Sequence, residues 1–168
     1  MNIILIGFMG SGKTVVGQLL AKELGLDFLD TDELIEKSEG RKISEIFRVE
    51  GEEHFRDLET EVLKTLQDYD NFVLSTGGGM VLRQANVDIF KTIGPVILLW
   101  AAPETIFARV QKETHRPLLQ VADPLAEIKK RLELRLPFYN AAADWQVDTG
   151  QKDPGTIAKE IIIWLRSK

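Results

Sequence analysis

A chain of 168 residues, 44% hydrophobic and 28% charged, is long enough for one domain with a real core and has the composition of a globular protein. Its net charge of −5 argues against nucleic acid as the main partner, and the lack of cysteine excludes disulfides and thiol catalysis. The two histidines, His54 and His115, are too separated for a zinc site, and no apolar run approaches the roughly 18 residues that span a bilayer.

The first apolar run lies in Asn2–Gly7 and reads as a buried strand. It is too short for a secretory signal and has no basic segment before it, so a cytoplasmic setting is expected. It leads into Gly7-Phe8-Met9-Gly10-Ser11-Gly12-Lys13-Thr14, which fits G-x-x-x-x-G-K-[ST], and helical spacing follows from Val15 to Leu24. Strand, glycine loop and helix in this order predict a P-loop. The glycines let backbone N–H groups turn toward a polyphosphate, and the helix N-terminus adds partial positive charge. Lys13 reaches the outer phosphates and the Thr14 hydroxyl suits Mg²⁺, so a nucleoside triphosphate site is expected.

The second strand, Asp27–Asp30, runs into Asp30-Thr31-Asp32. These carboxylates either support a metal and an attacking hydroxyl, or flank a helix capped by Thr31. A helix over Gly51–Leu66 sets Phe55, Leu58, Val62 and Leu66 on one face. Its Arg56 suits bidentate capture of a carboxylate or a pair with Glu52, and His54 reads as a surface residue. The third strand, Phe72–Ser75, ends without the acidic residue that many P-loop proteins place there, which makes Asp30 its substitute. Gly77-Gly78-Gly79 follows, either a close approach of ligand to backbone or a flexible connector.

The fourth strand, Pro95–Trp100, is apolar almost throughout, which predicts burial on both faces. The fold class is therefore α/β, a parallel sheet between two layers of helices, with ligands at the carboxyl ends of the strands. Residues 111–124 lack clean periodicity and read as a lid carrying Arg116 on extended backbone before Pro117. Arg135 is a second candidate for a carboxylate, or a surface partner of Glu133. The fifth strand is Trp145–Asp148. The last helix spans about Pro154 to Arg166, with Asp153 as N-cap and Ile157, Ile161 and Leu165 buried. No Asn-Lys-x-Asp guanine-reading motif occurs, so adenine is the expected base. No repeat or linker divides the chain: one domain, 1–168, is expected, with a substrate-binding helical region at about 31–60.

With these residues placed, the chain resembles shikimate kinase over essentially its full length. The P-loop, Asp30-Thr31-Asp32, Phe55-Arg56, Gly77-Gly78-Gly79, Arg116-Pro117-Leu118-Leu119, and Arg135 with Tyr139 stand in that family's order and spacing. The resemblance implies a P-loop NTPase of nucleoside monophosphate kinase type, a three-layer α/β/α fold whose parallel sheet holds the five strands read above. It implies transfer of the ATP γ-phosphate to the 3-hydroxyl of shikimate, on the route to chorismate and the aromatic amino acids. The expected partners are ATP and shikimate, with Mg²⁺, in a monomer bound to neither membrane nor nucleic acid.

Residue by residue, the resemblance implies that Gly10, Ser11, Gly12, Lys13, Thr14 and Val15 bind ATP, with Thr14 on Mg²⁺ and Asp30 on its water shell. It makes Asp32 a shikimate ligand and the base. Arg56, Gly77, Gly78, Gly79 and Arg135 bind shikimate, the arginines taking its carboxylate, and Glu59 orients Arg56. Lys13, Asp32 and Arg116 form the implied catalytic set, Arg116 meeting the phosphates from the lid. The family often has an arginine in the adenine-side segment after the last strand, where this chain has Lys152. Lysine stacks on a base less well than arginine, and Arg109 is the alternative source of stacking. A gluconate-type sugar-acid kinase and a nucleotide-dependent switch are the competing readings.

Overall fold

The computed structural model describes residues 1–112 and 120–168. Five strands form one sheet: β1 (Asn2–Ile6), β2 (Asp27–Asp30), β3 (Phe72–Ser75), β4 (Val96–Trp100) and β5 (Trp145–Asp148). All pair in parallel, in the order β2-β3-β1-β4-β5. The helices are α1 (Lys13–Leu24), α2 (Thr31–Glu39), α3 (Ile43–Leu66), α4 (Gln84–Ile93), α5 (Pro103–Val110), α6 (Pro124–Ala142) and α7 (Pro154–Arg166), with a 3₁₀ turn at Met80–Leu82.

The alternation of side chains along each strand explains why the central strands are apolar throughout. In β1, Ile4 and Ile6 enter one core with residues of α3, α4, α5 and α6, while Ile3 and Leu5 enter the other with residues of α1 and α7. Likewise, β4 sends Val96 and Leu98 to the first core and Ile97 and Leu99 to the second. Each of these central strands serves two helical layers, so neither of its faces is polar, whereas the edge strand β5 exposes Gln146 and Asp148.

The five strands fall where the sequence puts them, within one residue at each end. The α7 start is also as read, since the Asp153 side chain accepts from Thr156 N–H at 3.0 Å. Three details differ. The helix expected from Gly51 is preceded by another from Ile43, and the two run together as α3 across Gly51, whose φ 86° and ψ 174° are not helical. Before Gly51, only Ile46 is buried, while Phe47 and Val49 are exposed, so the apolar residues there do not form a core stripe. Leu58, Val62 and Leu165 are half-buried rather than buried, because they sit at the margins of their stripes. The core face of α3 is Phe55, Glu59, Leu63 and Leu66, and so includes a carboxylate.

A buried polar link sets α3 against the chain after β3. Asn86 is fully buried; its amide donates to the Met80 carbonyl at 3.0 Å and accepts from the Thr60 hydroxyl at 2.8 Å. At the surface, Arg83 reinforces this docking through Glu53 at 2.6 Å and Asp57 at 2.9 Å. Asn86→Ala removes both of these buried bonds, so it is expected to cost about 1–3 kcal/mol. Urea denaturation checks this as a lowered midpoint with an unchanged m-value.

Candidate active site

The carboxyl ends of β2, β3 and β1 are adjacent, and the loops after them build one cleft. After β1, Gly7–Gly12 turns into α1, with Gly10 and Gly12 in the left-handed region at φ 73° and 105°. The N-cap of α1 is Gly12, with no side-chain cap and no acidic residue in the first turn. Of the other helices, α2, α6 and α7 are capped by Asp30, Asp123 and Asp153, while α3, α4 and α5 have no side-chain cap. The first N–H groups and the positive end of the α1 dipole thus suit an anion. Lys13 lies along the loop, its Nζ donating to the carbonyls of Gly7 at 2.6 Å and Phe8 at 3.0 Å. Thr14 follows in the first turn, and Val15 is exposed beside it.

After β2, the carboxylates and the hydroxyl divide the work differently from either reading of the motif. Asp30, not Thr31, caps α2: its Oδ1 accepts from the N–H groups of Asp32 at 2.8 Å and Glu33 at 3.2 Å. Asp30 is in register with Ser75 at the end of β3, where the acidic residue was missing from the sequence. Thr31 is fully buried and accepts from Gly77 N–H at 2.9 Å, so it anchors the glycine segment. Asp32 turns into the cleft. Surrounding protein raises its pKa to about 6, helped by the charges of Asp30 and Glu36 and opposed by Lys13 and Arg56. Asp32 keeps contact with water at the cleft mouth, which tempers the effect of burial. The upward direction also stands on its two acidic neighbours.

After β3, Gly77, Gly78 and Gly79 form a surface against which the polar side chains pack. A Cβ on Gly77 would lie 2.6 Å from Glu59 Oε2 and 3.5 Å from Asp32 Oδ1. One on Gly78 would lie 3.3 Å from Arg135 Nη1 and 3.5 Å from the carbonyl of Gly7 in the P-loop. One on Gly79 would lie 2.8 Å from both terminal nitrogens of Arg56. The glycines therefore provide close approach rather than flexibility.

Arg56 is oriented by Glu59, which accepts from its Nη1 at 2.7 Å, and by Glu52 at 3.2 Å. Both partners foreseen in the sequence are present. Glu59 is fully buried, and burial raises its pKa against the pull of Arg56. Arg135 lies on the core-facing stripe of α6, Ile128, Leu132, Tyr139 and Ala142, and its Cζ stands 5.3 Å above the Phe8 ring. Tyr139, one turn on, donates its hydroxyl to the Gly78 carbonyl at 2.7 Å, and burial pushes its pKa up to about 12. This cleft thus joins two guanidinium groups, a carboxylate with raised pKa and the phosphate loop.

On the other side of β1, Arg109 is committed to backbone: Nη1 donates to Gly10 O at 2.9 Å and Nη2 to Thr149 O at 2.7 Å. Lys152 pairs with Glu160 at 2.8 Å. Arg116 and the centre of the expected lid lie outside the described residues. A separate cavity of about 730 Å³, lined by Leu29, Leu34, Leu58, Val62 and Phe72 on the β2 edge, takes in none of the P-loop, glycine or arginine positions. Among the described residues, no cluster of three or more His, Cys, Asp or Glu could hold a metal by itself. Neither Glu59 nor Thr149 carried a sequence-level role as firm as its burial. The available signal was a carboxylate on the apolar stripe of α3.

Comparison with known proteins agrees with this geometry. The shikimate kinase family model matches residues 9–166. A shikimate kinase of Thermodesulfovibrio yellowstonii is 48% identical over 161 residues, covering 96% of this chain and 92% of the relative. One from Symbiobacterium thermophilum is 45% identical, covering 100% and 98%. A solved shikimate kinase from Acinetobacter baumannii in complex with shikimate superposes with TM-score 0.93 at 39% identity, over 99% of this chain and 93% of that one. A gluconokinase from Sinorhizobium meliloti reaches TM-score 0.60 at 17% identity and shares the fold alone.

The electrostatics of the cleft can be checked directly. Carboxyl NMR is expected to show Asp32 titrating near 6. Asp30→Asn, which keeps an N-cap side chain, should lower that midpoint by removing the adjacent negative charge.

Proposed function

The chain belongs to the shikimate kinase family, and we propose how its residues divide the ATP-dependent phosphorylation of shikimate. The P-loop amides, Lys13 and the positive end of α1 bind the ATP phosphates; the uncapped N-terminus of α1 supports this. Arg56 and Arg135 bind the shikimate carboxylate, and the amides of Gly78 and Gly79 bind its polar groups, while the Gly77 N–H is held by Thr31 and contributes close approach only. The convergence of both guanidinium groups on three glycines, at 2.8 Å and 3.3 Å from their missing Cβ atoms, is the observation that carries this reading. Asp32 orients the 3-hydroxyl and takes its proton as the γ-phosphoryl passes to the oxygen. A pKa raised toward neutrality supports a base that is ionised at pH 7 yet basic enough to hold a proton.

Magnesium fits this donor set. It usually binds through substrate phosphates and one or two protein oxygens, with water filling the rest. Thr14 supplies a hydroxyl, and the second carboxylate oxygen of Asp30 is not used by the α2 cap. When bound, the metal neutralises charge on the β- and γ-phosphates. Arg109 and Lys152 belong to the nucleotide side, and we retain Arg116 as a lid residue acting on the phosphates. The exposed large apolar side chains among the described residues fall on several elements and pair up only as Phe47 with Val49 on α3 and Leu134 with Phe138 on α6, and we retain the monomer on that ground. No helix among them is long and apolar enough to cross a membrane.

A coupled ADP-release assay with shikimate, quinate and gluconate tests the assignment. Turnover is expected with shikimate and Mg²⁺; equal turnover without shikimate contradicts it. Lys13→Ala should abolish transfer in a folded protein and weaken ADP binding. Asp32→Asn should lower kcat about 10²–10⁴-fold. In the parent enzyme kcat/KM should fall as pH drops through about 6, because protonated Asp32 cannot accept the hydroxyl proton. Arg135→Ala should raise the KM for shikimate at least about 30-fold, with little change for ATP.

A further inference from the structure

One buried side chain joins the end of β5 to the P-loop. Thr149 is 1% exposed, and its N–H donates to the Trp100 carbonyl at 2.8 Å, which fixes it beside β4. Its hydroxyl donates to the Ser11 carbonyl at 2.7 Å and accepts from Arg109 Nη1 at 3.2 Å. A hydroxyl has one proton to give. The Trp100 carbonyl, at 3.2 Å, already receives the Thr149 N–H, so the shorter bond to Ser11 takes that proton. Arg109 completes the link through the carbonyls of Gly10 at 2.9 Å and Thr149 at 2.7 Å.

These bonds control peptide orientation. In a trans peptide unit the C=O and N–H point in opposite directions. Holding the Gly10 and Ser11 carbonyls therefore aims the N–H groups of Ser11 and Gly12 the other way. Ser11 N–H closes on the Phe8 carbonyl at 3.1 Å, inside the loop. Gly12 N–H, on the unit held by Thr149, is turned away from Thr149 at the start of α1. Gly10 and Gly12 adopt positive φ without steric cost, but glycine restricts its own backbone least, so the loop gains its order from outside.

We propose that Thr149 is a positioning residue for phosphoryl transfer. Its hydroxyl sets the Ser11–Gly12 peptide for phosphate and, with Arg109, couples the segment after β5 to the phosphate loop. The proposal rests on the placement of the triphosphate at the P-loop given above.

Thr149→Val keeps the shape and removes the hydroxyl, whereas Thr149→Ser keeps the hydroxyl. By calorimetry, Thr149→Val should raise the Kd for ADP about tenfold, and Thr149→Ser should retain the parent value. The KM for ATP should follow, while the Kd for shikimate stays unchanged. A purely structural role would lower the urea midpoint without this split between ligands. Parent-like ADP binding by Thr149→Val, beside a weakened Lys13→Ala, overturns the proposal; so does equal weakening by Val and Ser. Parent-like ADP binding by Lys13→Ala overturns the P-loop placement and the proposal with it. Should Thr149→Val not fold, hydrogen exchange in the parent decides. ADP should slow exchange at the amides of Gly12 and Thr149 together, and protection of Gly12 alone overturns the coupling.

Discussion

The absence of side chains at Gly77, Gly78 and Gly79 is the constraint on which the cleft depends. Each position where a Cβ would stand is already approached by a polar group: Glu59 at 2.6 Å, Arg135 at 3.3 Å and Arg56 at 2.8 Å. Two like-charged guanidinium groups converge on one short segment, and each needs a partner there. Glu59 answers Arg56 from within the core, and the face of Phe8 lies under Arg135. The segment is held from two sides, by Thr31 at the Gly77 N–H and by Tyr139 at the Gly78 carbonyl. The carbonyls of Gly77 and Gly79 accept from the N–H groups of Met80 and Leu82 in the turn that follows, so a loop of glycines becomes a fixed surface.

The strand order gives the reaction its spatial sequence. Read across the sheet as β2-β3-β1-β4-β5, the strand ends carry Asp30 and Asp32, the three glycines, the P-loop, and finally Thr149. On the proposed assignment, the acceptor side lies on one flank of β1 and the nucleotide side on the other. The phosphate loop, between them, touches both: Gly7 abuts Gly78, and Ser11 is bound by Thr149. In-line transfer requires donor and acceptor in this arrangement. Asp32, beside the glycines, combines exposure to the cleft with a pKa raised by its surroundings, which suits the role of base proposed for it.

Much of this was legible in the sequence, and the rest was hidden for physical reasons. The P-loop was visible because its glycines, lysine and threonine are dictated by local geometry between a strand and a helix. The central strands β1 and β4 were visible because burial on both faces leaves an unbroken apolar run. The strand order was not, since β3 enters between β1 and β2 through pairings that no local pattern records. Asp30-Thr31-Asp32 pointed to residues that lie at the cleft, but the roles of cap and anchor depended on where Gly77 lies. Arg135 was ambiguous as a single residue; it is distinguished by lying on the apolar stripe of α6 with Tyr139. Arg109 suggested a stacking group, yet its nearest partners are carbonyls 99 and 40 residues away in sequence, beyond the reach of any local reading.

The central claim is that shikimate affinity depends on backbone left bare for the arginines. Gly79→Ala tests it most directly. The three atoms nearest the added methyl all belong to the end of the flexible Arg56 side chain, and Gly79 has φ −95°, which alanine adopts without strain. The fold should survive while the guanidinium is displaced. The account predicts a KM for shikimate raised about tenfold or more, with ADP affinity and urea midpoint near the parent's. A Gly79→Ala enzyme with parent-like KM for shikimate would contradict it.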